Sequence, residues 1–202
     1  MKKAILGIKQ DMTQVYDEES KKVIPCTILV AVDCVIAGVK TEEKDGYTAV
    51  VLGLGRKNKS TKSEAGKFSA LGYTPRYVKE VRVDSLEGYE IGQKVDYSDI
   101  EVGTKVTAQG VTKGKGFQGV VKRYGFAGGP KTHGQSDRWR APGSIGTMTG
   151  NVVKGKKMPG RMGGDTHTAN TEIVKVDVEN GLVVVKGSVS GARNGLLLVV
   201  TR

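Results

Sequence analysis

Short apolar runs, separated by turn residues and charges, occupy both ends of the chain. "KAILGI", "KVIPCTILVAV" and "YTAVVLGL" are rich in Val, Ile and Leu, the composition of strands between polar breaks. "RYVKEVRV" alternates apolar and polar positions more cleanly, as a half-buried strand does. Further on, "TEIVKVDVENGLVVVKGSV" places Asn180-Gly181 between two alternating runs. Both residues of that pair tolerate positive φ, so the pattern predicts a β-hairpin. "LLLVV" supplies a last strand. Strands of this length and spacing predict a mainly β chain, an antiparallel barrel or sandwich, built from residues 1–112 and 168–202.

The pattern changes between these two parts. "GRKNKSTKSEAGKFSALGY" (55–73) is polar and reads as a loop with a short helix. From Lys113 the strand pattern stops and glycine dominates. Phe117, Val120, Val121 and Tyr124 fall at i, i+3, i+4 and i+7, which predicts a short helix with one apolar face. Gly125 is placed to end it.

Charge sharpens that boundary. The chain of 202 residues carries 32 Lys and Arg against 21 Asp and Glu, a net +11. Residues 113–165 hold 7 Lys and 4 Arg against Asp137 and Asp165, net +9, and 14 of the 29 glycines; the rest of the chain shares +2. Ordering glycine-rich backbone is costly in conformational entropy, and few apolar side chains here offset it. Such a segment is expected to be ordered by a partner, and a phosphate backbone matches its charge.

Two nucleotide-binding patterns are decoys. Gly114, Gly116, Gly119 and Val121 spell G-x-G-x-x-G-x-V, but Asp137 sits in "GGPKTHGQSDRWRAPG", which cannot be the second strand of a βαβ unit. The kinase reading lacks H-R-D and D-F-G. Gly150, Gly155 and Lys156 approach a Walker A loop until Lys157 takes the Ser/Thr position. His133 and His167 have no nucleophile motif beside them, and no cluster has metal-ligand spacing. The reading is a protein that is not an enzyme, with no cofactor, metal or small-molecule substrate. Cys26 and Cys34, eight apart in an apolar run, read as reduced, partly buried thiols of a cytoplasmic protein. No apolar run approaches the roughly 20 residues of a spanning helix, so no membrane contact is expected.

The candidate RNA-binding residues are therefore Lys113, Lys115, Lys122, Arg123, Lys131, His133, Arg138, Trp139, Arg140, Lys154, Lys156, Lys157 and Arg161. Lys and Arg at short intervals neutralise phosphates, and arginine adds a planar fork for their oxygens. Trp139, between two arginines, is placed either to stack on a base or to pack on the segment's own base or the barrel. The tip, with Ser144, Thr147, Met148 and Thr149, carries no charge. A free-standing RNA-binding or RNA-chaperone module would share these features; a nucleotide-dependent enzyme rests on the decoys alone.

The chain resembles a known family along essentially its whole length. The resemblance starts at "LGIKQDMTQVYDE" and "DGYTAVVLGLG" and runs through "KSEAGKF" and "VTKGKGFQGVVKRYGF". Its most specific parts are "THGQSDRWRAPGSIG", "KGKKMPGRMGG" and "VDVENGLVVVKGSVSGA". These are similar to the bacterial form of the third protein of the large ribosomal subunit. The resemblance implies an antiparallel β-barrel of the translation-factor type, with a long glycine-rich basic extension (113–167) containing a short helix. It implies a primary binder of large-subunit ribosomal RNA near its 3′ end that nucleates subunit assembly. It also implies an arm reaching towards the peptidyl transferase centre, and the fourteenth and nineteenth large-subunit proteins as neighbours. Two departures stand out. Asp11 replaces the family's usual Gly at the expected first turn, and the tip lacks the glutamine that some members carry methylated.

Overall fold

The computed structural model describes residues 3–18, 21–97, 100–146 and 150–202. In chain order the strands are β1 Ala4–Asp17, β2 Lys22–Val30, β3 Cys34–Lys40, β4 Ala49–Arg56, β5 Pro75–Arg82, β6 Lys105–Val111, β7 Phe117–Gln118, β8 Gly160–Arg161, β9 Thr166–Asp177, β10 Leu182–Lys186 and β11 Leu196–Thr201. The helices are α1 Glu42–Asp45, α2 Lys62–Lys67 and α3 Val120–Tyr124, with 3-10 turns at Ser69–Leu71 and Arg138–Arg140. The chain is mainly β. It divides into two compact units, residues 1–112 with 166–202, and residues 113–165.

In the first unit six strands close on themselves in the order β1-β11-β6-β9-β10-β2, every neighbouring pair antiparallel. Each strand sends side chains inward, among them Ile5, Leu29, Val106, Ile173, Val185 and Leu197, all buried. The continuous apolar runs at the two ends of the chain now have a cause. In β1, Ile5 faces the barrel interior while Leu6 belongs to a second core; in β11, Leu197 and Val199 face inward while Leu198 joins Leu6. A strand covered on both faces needs apolar residues at every position, so its sequence does not alternate.

The covering layer is a separate three-stranded sheet, β3-β4-β5. Ile36, Leu52 and Val81 from that sheet pack in the core that holds Leu6. Residues 1–112 therefore do not all enter the barrel: β3, β4 and β5 form a layer against its outside. On the other face of this sheet Phe68, after α2, packs on Ala37 and Val51. The sequence around α2 explains the turn. The Thr61 hydroxyl accepts from the Glu64 amide at 3.3 Å and the Glu64 carboxylate accepts from the Thr61 amide at 3.0 Å, a reciprocal cap.

Three local expectations are refined. The β9–β10 hairpin forms, but its loop spans residues 178–181, and in it only Gly181 adopts positive φ, +64°. The Asp177 carboxylate accepts from the Asn180 amide and side chain at 3.1 and 2.8 Å; these local hydrogen bonds favour the longer loop. Asp11 lies at no turn: it sits inside β1 where the pairing with β2 slips between Lys9 and Met12. Its carboxylate accepts from the Met12 amide at 3.0 Å and pairs with Arg193 at 3.2 Å. The Cys26 and Cys34 thiols are free and buried, and desolvation raises the pKa of Cys34 to about 11.

Candidate nucleic-acid interface

Within residues 113–165 the chain leaves and returns along a two-stranded ladder. Phe117 pairs with Arg161 and Gln118 with Gly160. Beyond the ladder, the Lys115 amide donates to Met162 at 2.8 Å and the Met162 amide to Gly116 at 3.0 Å. At Gly163, with φ +74°, a Cβ would collide with the carbonyl of Lys113; glycine lets the two strands approach.

The predicted helix is shorter than its periodicity suggested. Phe117 is drawn into β7 and is exposed; α3 starts at Val120, which is buried, and ends at Gly125 in the left-handed region. Pairing with β8 satisfies the Phe117 backbone, which the helix would otherwise have claimed. The end at Gly125 is as expected.

The cationic side chains fall into two kinds. Lys113, Lys115, Lys122, Lys131, Arg138, Arg140, Lys154, Lys156, Lys157 and Arg161 are exposed. Arg123 is half-buried, and its Nη1 donates to the carbonyl of Met158 at 2.8 Å. The Arg123 guanidinium also lies 5.0 Å from the ring centre of Tyr124, and Lys157 Nζ lies 5.7 Å from it. Tyr124 thus gathers two cations over one ring, an attraction worth about 0.5–1 kcal/mol when exposed. From periodicity alone this tyrosine belongs only to the apolar face of the helix. Its position beside Lys122 and Arg123 was the clue to more.

Trp139 occupies the 3-10 turn with Arg138 and Arg140. Its indole N–H donates to the Gln135 carbonyl at 3.2 Å, and its own carbonyl accepts from the Gly129 amide at 2.8 Å. The indole is 45% exposed, so its polar edge is spoken for while part of its face stays open. His133 is exposed and takes φ +60° ahead of Gly134, forming a tight turn. The other histidine, His167 in the first unit, sits 2.8 Å from the Ser190 hydroxyl through Nδ1. At the tip, the Ser144 hydroxyl donates to the Gly146 carbonyl at 3.0 Å. Thr147, Met148 and Thr149 lie outside the described residues.

Among the described residues no group of three or more His, Cys, Asp or Glu side chains is placed to hold a metal. Nor is any helix among them long and apolar enough to cross a membrane. Fold and surface define a mainly β protein that carries a separate cationic, glycine-rich unit.

Comparison with known proteins gives this class a family. The profile of the family described as ribosomal protein L3 matches residues 89–177. The chain is 47% identical over 204 residues to the large ribosomal subunit protein uL3 of Herpetosiphon aurantiacus, covering 98% of this chain and 96% of that one. It is 46% identical over 205 residues to the protein of the same name from Natranaerobius thermophilus, with 99% and 97% coverage. The corresponding protein of Bifidobacterium longum is 44% identical over 204 residues, with 98% and 95% coverage. The chain belongs to the ribosomal protein L3 family.

Proposed function

We propose that this protein is a structural constituent of the large ribosomal subunit in the cytoplasm, binding large-subunit ribosomal RNA through residues 113–167. The observation that carries the reading is the segregation of charge. A net +9 and 14 of 29 glycines are gathered in a unit apart from a nearly neutral β unit. Phosphate neutralisation releases counterions, and glycine lets backbone lie close against a nucleic-acid surface.

In this reading Lys113, Lys115, Lys122, Lys131, His133, Arg138, Arg140, Lys154, Lys156, Lys157 and Arg161 meet phosphates. Arg123 chiefly braces the segment from within, and the open part of the Trp139 ring meets a base or ribose. Ser144, Thr147, Met148 and Thr149 form an uncharged tip that approaches packed RNA towards the peptidyl transferase centre without joining its chemistry. The barrel is of the translation-factor type and meets the fourteenth and nineteenth large-subunit proteins. Binding near the 3′ end of the RNA comes early and nucleates assembly. The protein is not an enzyme.

Co-sedimentation tests the reading against a free RNA-binding module. A constituent stays with the large subunit through a high-salt wash, and footprints on ribosomal RNA disappear when it is omitted from reconstitution. A protein that washes off and leaves every footprint unchanged is not a constituent.

A further inference from the structure

The +2 assigned to the rest of the chain hides a second segregation. Residues 56–82 carry eight Lys and Arg against Glu64 and Glu80, net +6, so what remains outside both basic stretches is net −4. The two acids are matched inside the protein. Glu64 pairs with Lys57 at 2.7 Å; Glu80 pairs with Lys40 at 3.1 Å and accepts from the Tyr47 hydroxyl at 2.9 Å.

Arg56 and Lys57 line a polar notch of about 620 Å³ beside α2, together with Asn58, Ser60, Ser69 and Tyr73. Two of the arginines are steadied by tyrosines. The Arg56 guanidinium lies 5.8 Å from the Tyr73 ring centre and that of Arg76 lies 5.3 Å from the Tyr77 ring centre. A guanidinium held against a ring keeps its N–H fork for phosphate oxygens and loses less entropy on binding. Hydroxyls and amides beside it suit phosphate and ribose oxygens. Lys59, between the lining residues Asn58 and Ser60, and Lys62, the first residue of α2, are both exposed.

We infer that this notch is a second RNA-contact site on the β3-β4-β5 layer, gripping phosphodiester backbone without help from residues 113–165. The inference rests on the RNA-binding reading above, and the two fail differently. Two sites on one RNA act at high effective concentration, so each strengthens the other.

The experiment uses the full chain and transcribed large-subunit ribosomal RNA, with affinity measured across a salt series. The triple variant R56A/K59A/K62A should bind more weakly and flatten the slope of log K against log salt by about 2–3, at roughly 0.7–0.9 per phosphate. The charge-retaining R56K/K59R/K62R should keep most of the slope, which separates lost contact from lost fold. K154A/K156A/K157A runs alongside. A wild-type slope in R56A/K59A/K62A overturns the second site, while flattening in the other triple leaves the arm reading standing. Flattening in the first triple alone supports the second site and sinks the arm reading. Wild-type slopes in both sink the two together.

Discussion

The Arg123 guanidinium donates to the Met158 carbonyl at 2.8 Å, tying α3 to the segment just before β8. A Cβ on Gly160 would lie 2.7 Å from Arg123 Nη1, so the clasp also requires glycine at that position. The charge of Arg123 is thereby put to internal use.

Arg123→Ala should lower affinity for ribosomal RNA through loss of arm structure while leaving the salt slope near wild type. Gly160→Ala should do the same, less severely. Trypsin should cut both variants faster around Lys154–Lys157. A slope reduced by roughly 0.7–0.9 in Arg123→Ala would mean that the guanidinium meets a phosphate instead.

Lys154, Lys156 and Lys157 present the opposite case, since all three are exposed. Replacing them together by Ala should flatten the slope by about 2–3. Lys157 also lies over Tyr124, so Tyr124→Ala should weaken binding slightly with little change of slope. Unchanged salt dependence in the triple variant would identify this cluster as a solvated face.

Residues 113–165 have one fully buried apolar side chain, Val120, among those described. In the free protein, limited proteolysis should therefore cut first at "KGKK" and "DRWR" and spare the barrel. Added ribosomal RNA should protect both sites. Equal resistance of arm and barrel without RNA would show that the arm's own contacts suffice.

Gly110 on β6 faces the barrel interior, where a Cβ would lie 2.5 Å from the Ser190 carbonyl and collide with Leu197. Gly110→Ala should cost about 1–3 kcal/mol by overpacking, a fall in Tm of roughly 3–10 °C. Gly114 has open space around the same position and no positive φ, so Gly114→Ala should melt like the wild type. Thermal denaturation followed by circular dichroism decides; equal Tm values in the two variants would refute the packing argument.

Hydrogen bonds from the Asn180 side chain and amide hold the Asp177 carboxyl below the usual carboxylate pKa. A carboxyl lowered in the fold stabilises above its unfolded pKa, about 3.9, and that contribution fades as pH falls through the lower folded value. Amide protection factors at Gly181 and Leu182 should therefore drop in acid, below about pH 4. Asp177→Asn should start lower and lose this acid-dependent step. A drop of the same size in the variant would place its origin elsewhere.

Much of this could be read along the chain because it is local. Strand identity follows from runs such as "LLLVV" and from alternation in "RYVKEVRV". The β9–β10 hairpin follows from Asn180-Gly181, the end of α3 from Gly125, and the cationic segment from the charges themselves. What covers an apolar face is not local. Leu6 and Leu198 are apolar for the same chemical reason as Ile5 and Leu197. Only long-range pairing shows that one pair meets the β3-β4-β5 layer while the other fills the barrel. Phe117 left its helical period because a partner strand, more than 40 residues later, offered hydrogen bonds. The charge of Arg123 was legible, but its clasp on Met158 was not. Likewise the cations of residues 56–82 averaged away in whole-chain composition, and only the fold sets Arg56 beside a polar notch. Sequence carries each residue's chemistry and its immediate periodicity; partners distant in the chain are decided by which surfaces can close against one another and exclude water.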